Sequence, residues 1–131
     1  MTETRDTDNV GLHQRSNAIP GNVSFLEIGS KDAAVSRAFF ERVFGWTFNS
    51  MGDAGGWFQT PSIKAGLHGS DPQPQHYVFF DVADLDAAIA LVKTSGGQAE
   101  PPGPEEPGFG RFSNCHDPQG IRFGLHQKSP P

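Results

Sequence analysis

The strongest constraint on the fold is an order of predicted elements that occurs twice along the chain. A strand, a helix and three further strands are predicted within residues 22–70, and the same order returns within residues 76–127. Short matching sequences mark equivalent places: Asp32-Ala33-Ala34 and Asp86-Ala87-Ala88 begin the helices, and Gly66-Leu67-His68 and Gly124-Leu125-His126 end the halves. Such a repeat predicts two βαβββ modules that form one α+β domain.

Cap and turn residues set the limits of these elements. Ser30 or Asp32 is suited to cap the first helix, which is expected to end before Gly45. Asp84 or Asp86 is suited to cap the second helix, which Gly96-Gly97 should end. The first helix carries an apolar stripe at helical spacing, formed by Val35, Ala38, Phe39 and Val43. The strands are predicted at residues 22–28, 46–49, 56–60, 63–68, 76–82, 98–100, 111–115 and 121–126.

Composition excludes several classes of partner. The chain has 131 residues, and 10 Lys and Arg against 15 Asp and Glu give a net charge of -5, which disfavours nucleic acid and anionic membranes. No apolar run reaches the roughly 18 residues of a membrane span. Cys115 is the single cysteine, and the polar N-terminus has no secretory signal pattern. We expect a cytoplasmic protein with a flexible polar tail at residues 1–21 and a short tail at 128–131.

Alternation along the strands separates an aliphatic face from a face that is aromatic and polar. The helices are expected to cover the aliphatic face, which leaves the mixed face to line a concave surface. Aromatic walls with a few convergent polar groups are typical of a small-molecule pocket. Trp46 and Trp57 are interpreted either as stacking residues for a planar ligand or as packing residues. The predicted mixed face consists of Phe25, Glu27, Lys64, His68, Tyr77, Phe79, Asp81, Arg122 and His126.

Three segments resemble the vicinal oxygen chelate superfamily, which includes glyoxalase I, bleomycin-resistance proteins and extradiol dioxygenases. They are FLEIGSKDAAVSRAFFERVFGW (Phe25 to Trp46), FFDVADLDAAI (Phe79 to Ile89) and DPQGIRFGL (Asp117 to Leu125). The resemblance covers residues 23–127. It implies a curved mixed sheet around a concave cavity, with the helices on the outer face, and a protein that forms a homodimer.

Metal-dependent members of that superfamily bind a divalent ion through His, Glu or Gln, one residue from each of four strands. The resemblance maps these positions onto Phe25, Tyr77, Gly124 and a residue near Gly66. Phe and Gly offer no donor atom and Tyr is an uncommon ligand, so the usual site is expected to be vacant. The sequence therefore predicts no metal cofactor at these positions.

A displaced metal site is the alternative. Glu27, His68 and His126 each follow a vacated position by two residues on the same predicted face, and two His with one carboxylate suit Zn, Mn, Ni or Fe. The main functional prediction is a metal-free binding protein for an aromatic or amphipathic small molecule. The alternative is a metal-dependent lyase, isomerase or dioxygenase in which Glu27 moves a proton. A domain whose cavity is filled by its own side chains is the third interpretation.

Overall fold

A computed structural model describes residues 18–52 and 55–130 of the chain, and its elements follow the predicted order. The described part contains eight strands and two helices, which confirms the α+β class and the repeated βαβββ order. It divides into two compact units, residues 23–79 and residues 18–22 with 80–130. Most of the predicted N-terminal tail, residues 1–17, lies outside the described residues.

The first unit is a mixed sheet with one helix. Its strands lie in the order β2-β3-β4-β1-β5, with β1 parallel to β4 and β3 antiparallel to both of its neighbours. The register places Phe25 beside Lys64, and Glu27 beside Gly66. The elements are β1 (Val23–Gly29), α1 (Ala33–Phe44), β2 (Thr47–Ser50), β3 (Gly56–Gln59), β4 (Lys64–His68) and the first five residues of β5 (Gln75–Asp81).

The second unit contains one helix, three antiparallel strands and the last two residues of β5. Its strands lie in the order β8-β7-β6, and the backbone N–H of Val82, just after β5, donates to the carbonyl of His126 at 3.0 Å. The last strand ends at Lys128, two residues beyond the predicted end. The elements are α2 (Leu85–Thr94), β6 (Gln98–Ala99), β7 (Gly110–His116) and β8 (Arg122–Lys128).

The predicted caps are present at both helices. The Asp32 carboxylate accepts the backbone N–H groups of Ala34 and Val35, and Gly45 ends α1 in the left-handed region at φ 70°. Asp84 caps α2 by accepting the N–H of Ala87. Of the two candidates predicted at each helix, Asp32 and Asp84 are therefore the capping residues, because each lies immediately before the first helical residue.

Each helix packs on the aliphatic face of its own unit, as the alternation predicts. In the first unit Ala33 of α1 joins the buried side chains of the sheet, and in the second unit Leu85 and Ile89 of α2 do the same. This leaves the aromatic and polar face of each sheet for the site. The buried core residues are Ile28, Ala33, Phe58, Ala65 and Leu67 in the first unit, and Leu85, Ile89, Cys115 and Leu125 in the second.

The predicted apolar stripe of α1 does not face the core. Val35, Phe39 and Val43 are exposed by 66%, 59% and 53%. Ala33 and Phe40 face the core instead, because the Phe40 ring packs against the rings of Trp46 and Phe58. The apolar residues have the predicted helical spacing, but they lie on the surface of the helix and not in the core.

We expect Phe58→Ala to be among the most destabilising single substitutions in the first unit. Its side chain is fully buried and contacts the rings of Phe40, Trp46 and Phe48, so truncation should cost about 3–5 kcal/mol. Ile121→Ala, at a residue 64% exposed, should change the unfolding free energy by no more than about 0.5 kcal/mol. Urea unfolding measures both values, and equal effects would contradict the assigned core.

Candidate functional site

The centre of the candidate site is an imidazole held between two carboxylates. His68 Nδ1 lies 2.5 Å from Glu27 Oε2, and His68 Nε2 lies 3.1 Å from Asp71 Oδ2. Carboxylate oxygens only accept when ionised, so both ring nitrogens must carry protons, or Glu27 must carry one. The three side chains therefore form a continuous chain in which one proton is shared between Glu27 and His68.

Asp71 is fixed at the far end of this chain. The Tyr77 hydroxyl donates to its Oδ2 at 2.7 Å, and the backbone N–H of Gln73 donates to its Oδ1 at 2.9 Å. The Tyr77 hydroxyl, the Gln73 N–H and His68 together lower the pKa of Asp71 despite a smaller opposing effect of burial. Asp71 thus stays ionised and holds the imidazole in place.

Two glycines make room for the two carboxylates. A β-carbon at Gly66 would overlap Oε1 of Glu27, its partner on the neighbouring strand, and one at Gly29 would overlap Oδ2 of Asp71. A β-carbon at Gly29 would also come within 3.0 Å of the Tyr77 ring. A side chain at either position would therefore displace the end of a carboxylate side chain from the place it has in this cluster.

The site raises the pKa of two of its groups. Burial raises the pKa of Glu27 above its ordinary 4.5 and outweighs the hydrogen bond and charge of His68, which lower it. For His68, desolvation lowers the pKa, but the hydrogen bonds and charges of Glu27 and Asp71 outweigh it and leave the pKa above 6.5. The folded site therefore holds protons more tightly than the unfolded chain does.

Aromatic rings surround this polar chain on the same face. The rings of Phe25 and Phe79 meet edge to face with centroids 5.8 Å apart, and Lys64 Nζ lies 4.8 Å from the centre of the Trp57 ring. Trp57 pairs with Gly66, next to Glu27. The first unit thus brings together seven of the predicted site residues, which are Phe25, Glu27, Trp57, Lys64, His68, Tyr77 and Phe79.

The remaining predicted residues of the mixed face lie in the second unit. The His126 ring is buried, stacks on Phe112 at 4.5 Å, and has its Nε2 2.7 Å from the carbonyl of Phe109. Arg122 is exposed at the start of β8. Asp81 is fully buried, and its Oδ2 lies 3.2 Å from Lys128 Nζ.

Trp46 occupies the opposite face from Trp57. Its ring lies 4.8 Å from Phe44 and 5.5 Å from Phe58 and belongs to the core cluster under α1. These contacts favour the interpretation of Trp46 as a packing residue over its interpretation as a stacking residue for a ligand. It follows α1 by two residues, and packing on Phe40 and Phe58 buries its ring on the helix side.

The positions that bind metal in the superfamily do not fit a metal ion here. Phe25 packs on Phe79, and the Tyr77 hydroxyl donates a hydrogen bond to Asp71. Gly66 and Gly124 have no side chain that could bind a metal ion. Throughout residues 18–52 and 55–130 there is no group of three or more His, Cys, Asp or Glu side chains placed to hold a metal ion. Of the displaced set, Glu27 and His68 lie in the first unit and His126 lies in the second, and the displaced metal site stays a prediction.

Asp71 is a residue of the candidate site that the sequence analysis does not identify. Its segment, DPQPQ, lies between the strands predicted at residues 63–68 and 76–82, and its Pro and Gln residues are typical of a linker. An Asp before Pro often accepts the N–H two residues later, and this signal, borne out by the Gln73 contact, would have marked it as ordered. Nothing in the sequence pointed to its contact with His68.

A mixed-sheet βαβββ repeat with an aromatic and polar face defines the class of protein, and comparison with known proteins assigns the family. Residues 22–125 match the Glyoxalase/Bleomycin resistance protein/Dioxygenase superfamily, and the chain belongs to it. It is 30% identical over 131 residues to the anthracycline biosynthesis protein DnrV of Streptomyces peucetius, covering 83% of this chain and 48% of the relative. The chain therefore spans about half the length of this relative.

Solved structures share the fold. Methylmalonyl-CoA epimerase from Mycobacterium tuberculosis matches with a TM-score of 0.66 at 16% identity, over 87% of this chain and 92% of the other. Homoprotocatechuate 2,3-dioxygenase from Arthrobacter globiformis matches with a TM-score of 0.68 at 20% identity, over 88% of this chain and 39% of the other. No helix in the described part of the chain is long and apolar enough to cross a membrane.

We expect the unfolding free energy to fall as pH rises through the raised pKa values of Glu27 and His68. The folded state binds more protons than the unfolded state from about pH 4.5 to above 6.5, so stability is lost across this window. Below pH 3.8 the lowered pKa of Asp71 acts in the opposite direction.

Urea unfolding at a series of pH values measures this dependence. Glu27→Gln should flatten the decline because the His68 pKa then loses its strongest support. Glu41→Gln, at a residue paired with Arg37 on the helix surface, is the control and should leave the decline unchanged. An identical pH profile for wild type and Glu27→Gln would contradict the shared proton.

Proposed function

We propose that this protein is a metal-independent small-molecule-binding member of its superfamily. The ligand is flat and aromatic or amphipathic, and it contacts the face formed by Phe25, Trp57 and the chain of Glu27, His68 and Asp71. The observation that carries the proposal is the exchange of metal donors for aromatic rings and glycines at the superfamily positions. A sequestering site needs aromatic area and a few fixed polar groups, but neither a metal nor a nucleophile.

The chemistry of a relative agrees with a planar ligand. The similar Streptomyces peucetius protein is named for anthracycline biosynthesis, and anthracyclines are flat polycyclic aromatic molecules. Trp57 lies on the site face, where a planar ligand would stack on its ring in place of Lys64. An aromatic polyketide or a molecule of similar shape is therefore the ligand class that we favour.

The metal-dependent lyase, isomerase or dioxygenase remains the alternative because the superfamily includes dioxygenases. It would require Glu27 and His68 to turn towards a cation and to gain a third ligand. Both ring nitrogens of His68 are engaged by carboxylates, so such a site would first have to break the hydrogen bonds that order it. The metal-dependent function therefore requires a rearrangement of Glu27 and His68 that the binding function does not require.

Metal content and ligand binding separate these two functions. We expect purified protein to carry no stoichiometric metal and to gain no thermal stability from Zn²⁺, Mn²⁺, Ni²⁺ or Fe²⁺. One metal ion per chain, lost on His68→Ala or His126→Ala, would overturn the proposal. If the protein binds no metal, His68→Ala and His126→Ala should have the same metal content as the wild type.

The two tryptophans supply a matched test of ligand binding. In ¹⁵N NMR spectra the indole signal of Trp57 should move on titration with 2-naphthol, while the signal of Trp46 should stay in place because it lies in the core. Trp46→Phe and Trp57→Phe assign the two signals. If 2-naphthol moves neither signal at millimolar concentration, the binding function is wrong.

We also propose that two copies of the chain associate through α1. Its exposed apolar residues Val35, Phe39 and Val43 lie at helical spacing, and Phe44 beside them is 57% exposed. The curated relative is about twice as long as the match, which leaves room in it for a second domain of this size. A second copy would cover a surface that is otherwise costly to expose to water.

Phe39→Glu tests this association. Light scattering after size exclusion should give a dimer for wild type and a monomer for Phe39→Glu, because the new charge lies in the middle of the stripe. Ala34→Glu adds the same charge at an exposed position beside the stripe and should stay dimeric. A monomeric wild type would refute the association.

A further inference from the structure

We propose that the polar anchor of this site is Oε1 of Glu27, and that the site therefore selects aromatic ligands that carry a hydroxyl donor. A metal ion attracts ligand oxygens that donate electron pairs, such as carbonyl and carboxylate oxygens. A carboxylate attracts hydrogen-bond donors and repels those same oxygens. The inference rests on the proposed binding function and assigns its ligand specificity.

The open acceptor in the cluster is a single atom. Oε2 of Glu27 is taken by His68, and both oxygens of Asp71 are taken by Tyr77, Gln73 and His68. Oε1 of Glu27 forms no hydrogen bond to any residue of the described chain, and the Glu27 side chain is 25% exposed. It is therefore the atom at which a ligand can complete the hydrogen bonding of the cluster.

Gly66 fixes where this acceptor lies. The superfamily places a metal ligand near this position, but here the space above Gly66 is filled by Oε1 of Glu27 from the neighbouring strand. The atom also lies near the Phe25 ring, since a β-carbon at Gly66 would meet both. An aromatic ligand on this face would thus present its edge substituent to a carboxylate rather than to a cation.

The charge on the cluster favours a neutral donor. Glu27 and His68 form a neutral pair when the imidazole is protonated, and the Asp71 carboxylate is already satisfied by three donors. No Lys or Arg among the described residues forms a salt bridge with Glu27 or Asp71. An anionic group placed at Oε1 of Glu27 would be repelled by that carboxylate, whereas an aromatic hydroxyl would donate a charge-assisted hydrogen bond to it.

Three matched naphthalenes test the specificity by the Trp57 NMR titration. 2-Naphthol carries a donor, 2-methoxynaphthalene has the same ring without the donor, and 2-naphthoate carries an anion. We expect 2-naphthol to bind about tenfold or more tightly than 2-methoxynaphthalene, as one hydrogen bond to a charged acceptor provides. 2-Naphthoate should bind most weakly of the three.

Two variants show whether Glu27 is the cause. Glu27→Ala removes the acceptor, and Gly66→Ala keeps it but displaces the flexible end of the side chain, so both should bring the first two affinities together. Glu41→Gln is the control and should keep the wild-type ratio. The amide spectrum of each variant shows whether it is folded. Glu27→Ala and Gly66→Ala change the acceptor in different ways, so each variant tests the role of Glu27 independently of the other.

The outcomes separate this inference from the binding function. Equal affinity of wild type for 2-naphthol and 2-methoxynaphthalene would overturn the donor preference and leave the binding function standing. Tightest binding of 2-naphthoate would also overturn it and would indicate a cationic anchor. Binding of none of the three would overturn both the binding function and the specificity built on it.

Discussion

The site depends on the hydrogen bonds that hold His68 between Glu27 and Asp71. The imidazole joins the end of β4 to β1 on one side and to the loop before β5 on the other. Without it, two carboxylates would lie partly buried on the same face with nothing between them, at a cost in desolvation and repulsion. The position of the open acceptor and the ordering of the loop follow from this one ring, and its two carboxylate partners raise the pKa of His68.

The fold could be predicted from local signals because each is carried by a few neighbouring residues. Asp32 and Gly45 fix the ends of α1 through their own backbone contacts, and these rules hold in almost any surrounding structure. Alternation in β1 and β4 similarly requires only the pleat of the strand, and Phe25, Glu27, Lys64 and His68 share a face as predicted. Whether the predicted residues bind a ligand stays a prediction.

The features that the sequence did not reveal depend on contacts between distant residues. The stripe of α1 has the spacing of a buried face, but the choice of face was decided by Phe40, whose ring fits against Trp46 and Phe58. Asp71 looked like part of a linker because its main partners, His68 and Tyr77, are brought to it by the pairing of the strands. Sequence patterns report periodicity, and they do not report which of two apolar surfaces gains more from burial.

The two glycines of the site connect the fold to its chemistry. At Gly66 and Gly29 the absence of a side chain lets a carboxylate from another segment lie against the backbone. The superfamily places a metal ligand near the position of Gly66, whereas in this chain Gly66 leaves space for Oε1 of Glu27. In the proposed site this change would reverse the sign of the charge that faces a ligand, while the strands and their register stay as the fold provides them. If the proposed specificity holds, small substitutions at a few positions of the sheet would be enough to change a site from binding acceptor oxygens to binding donors, because function lies in the side chains of a site and not in its scaffold.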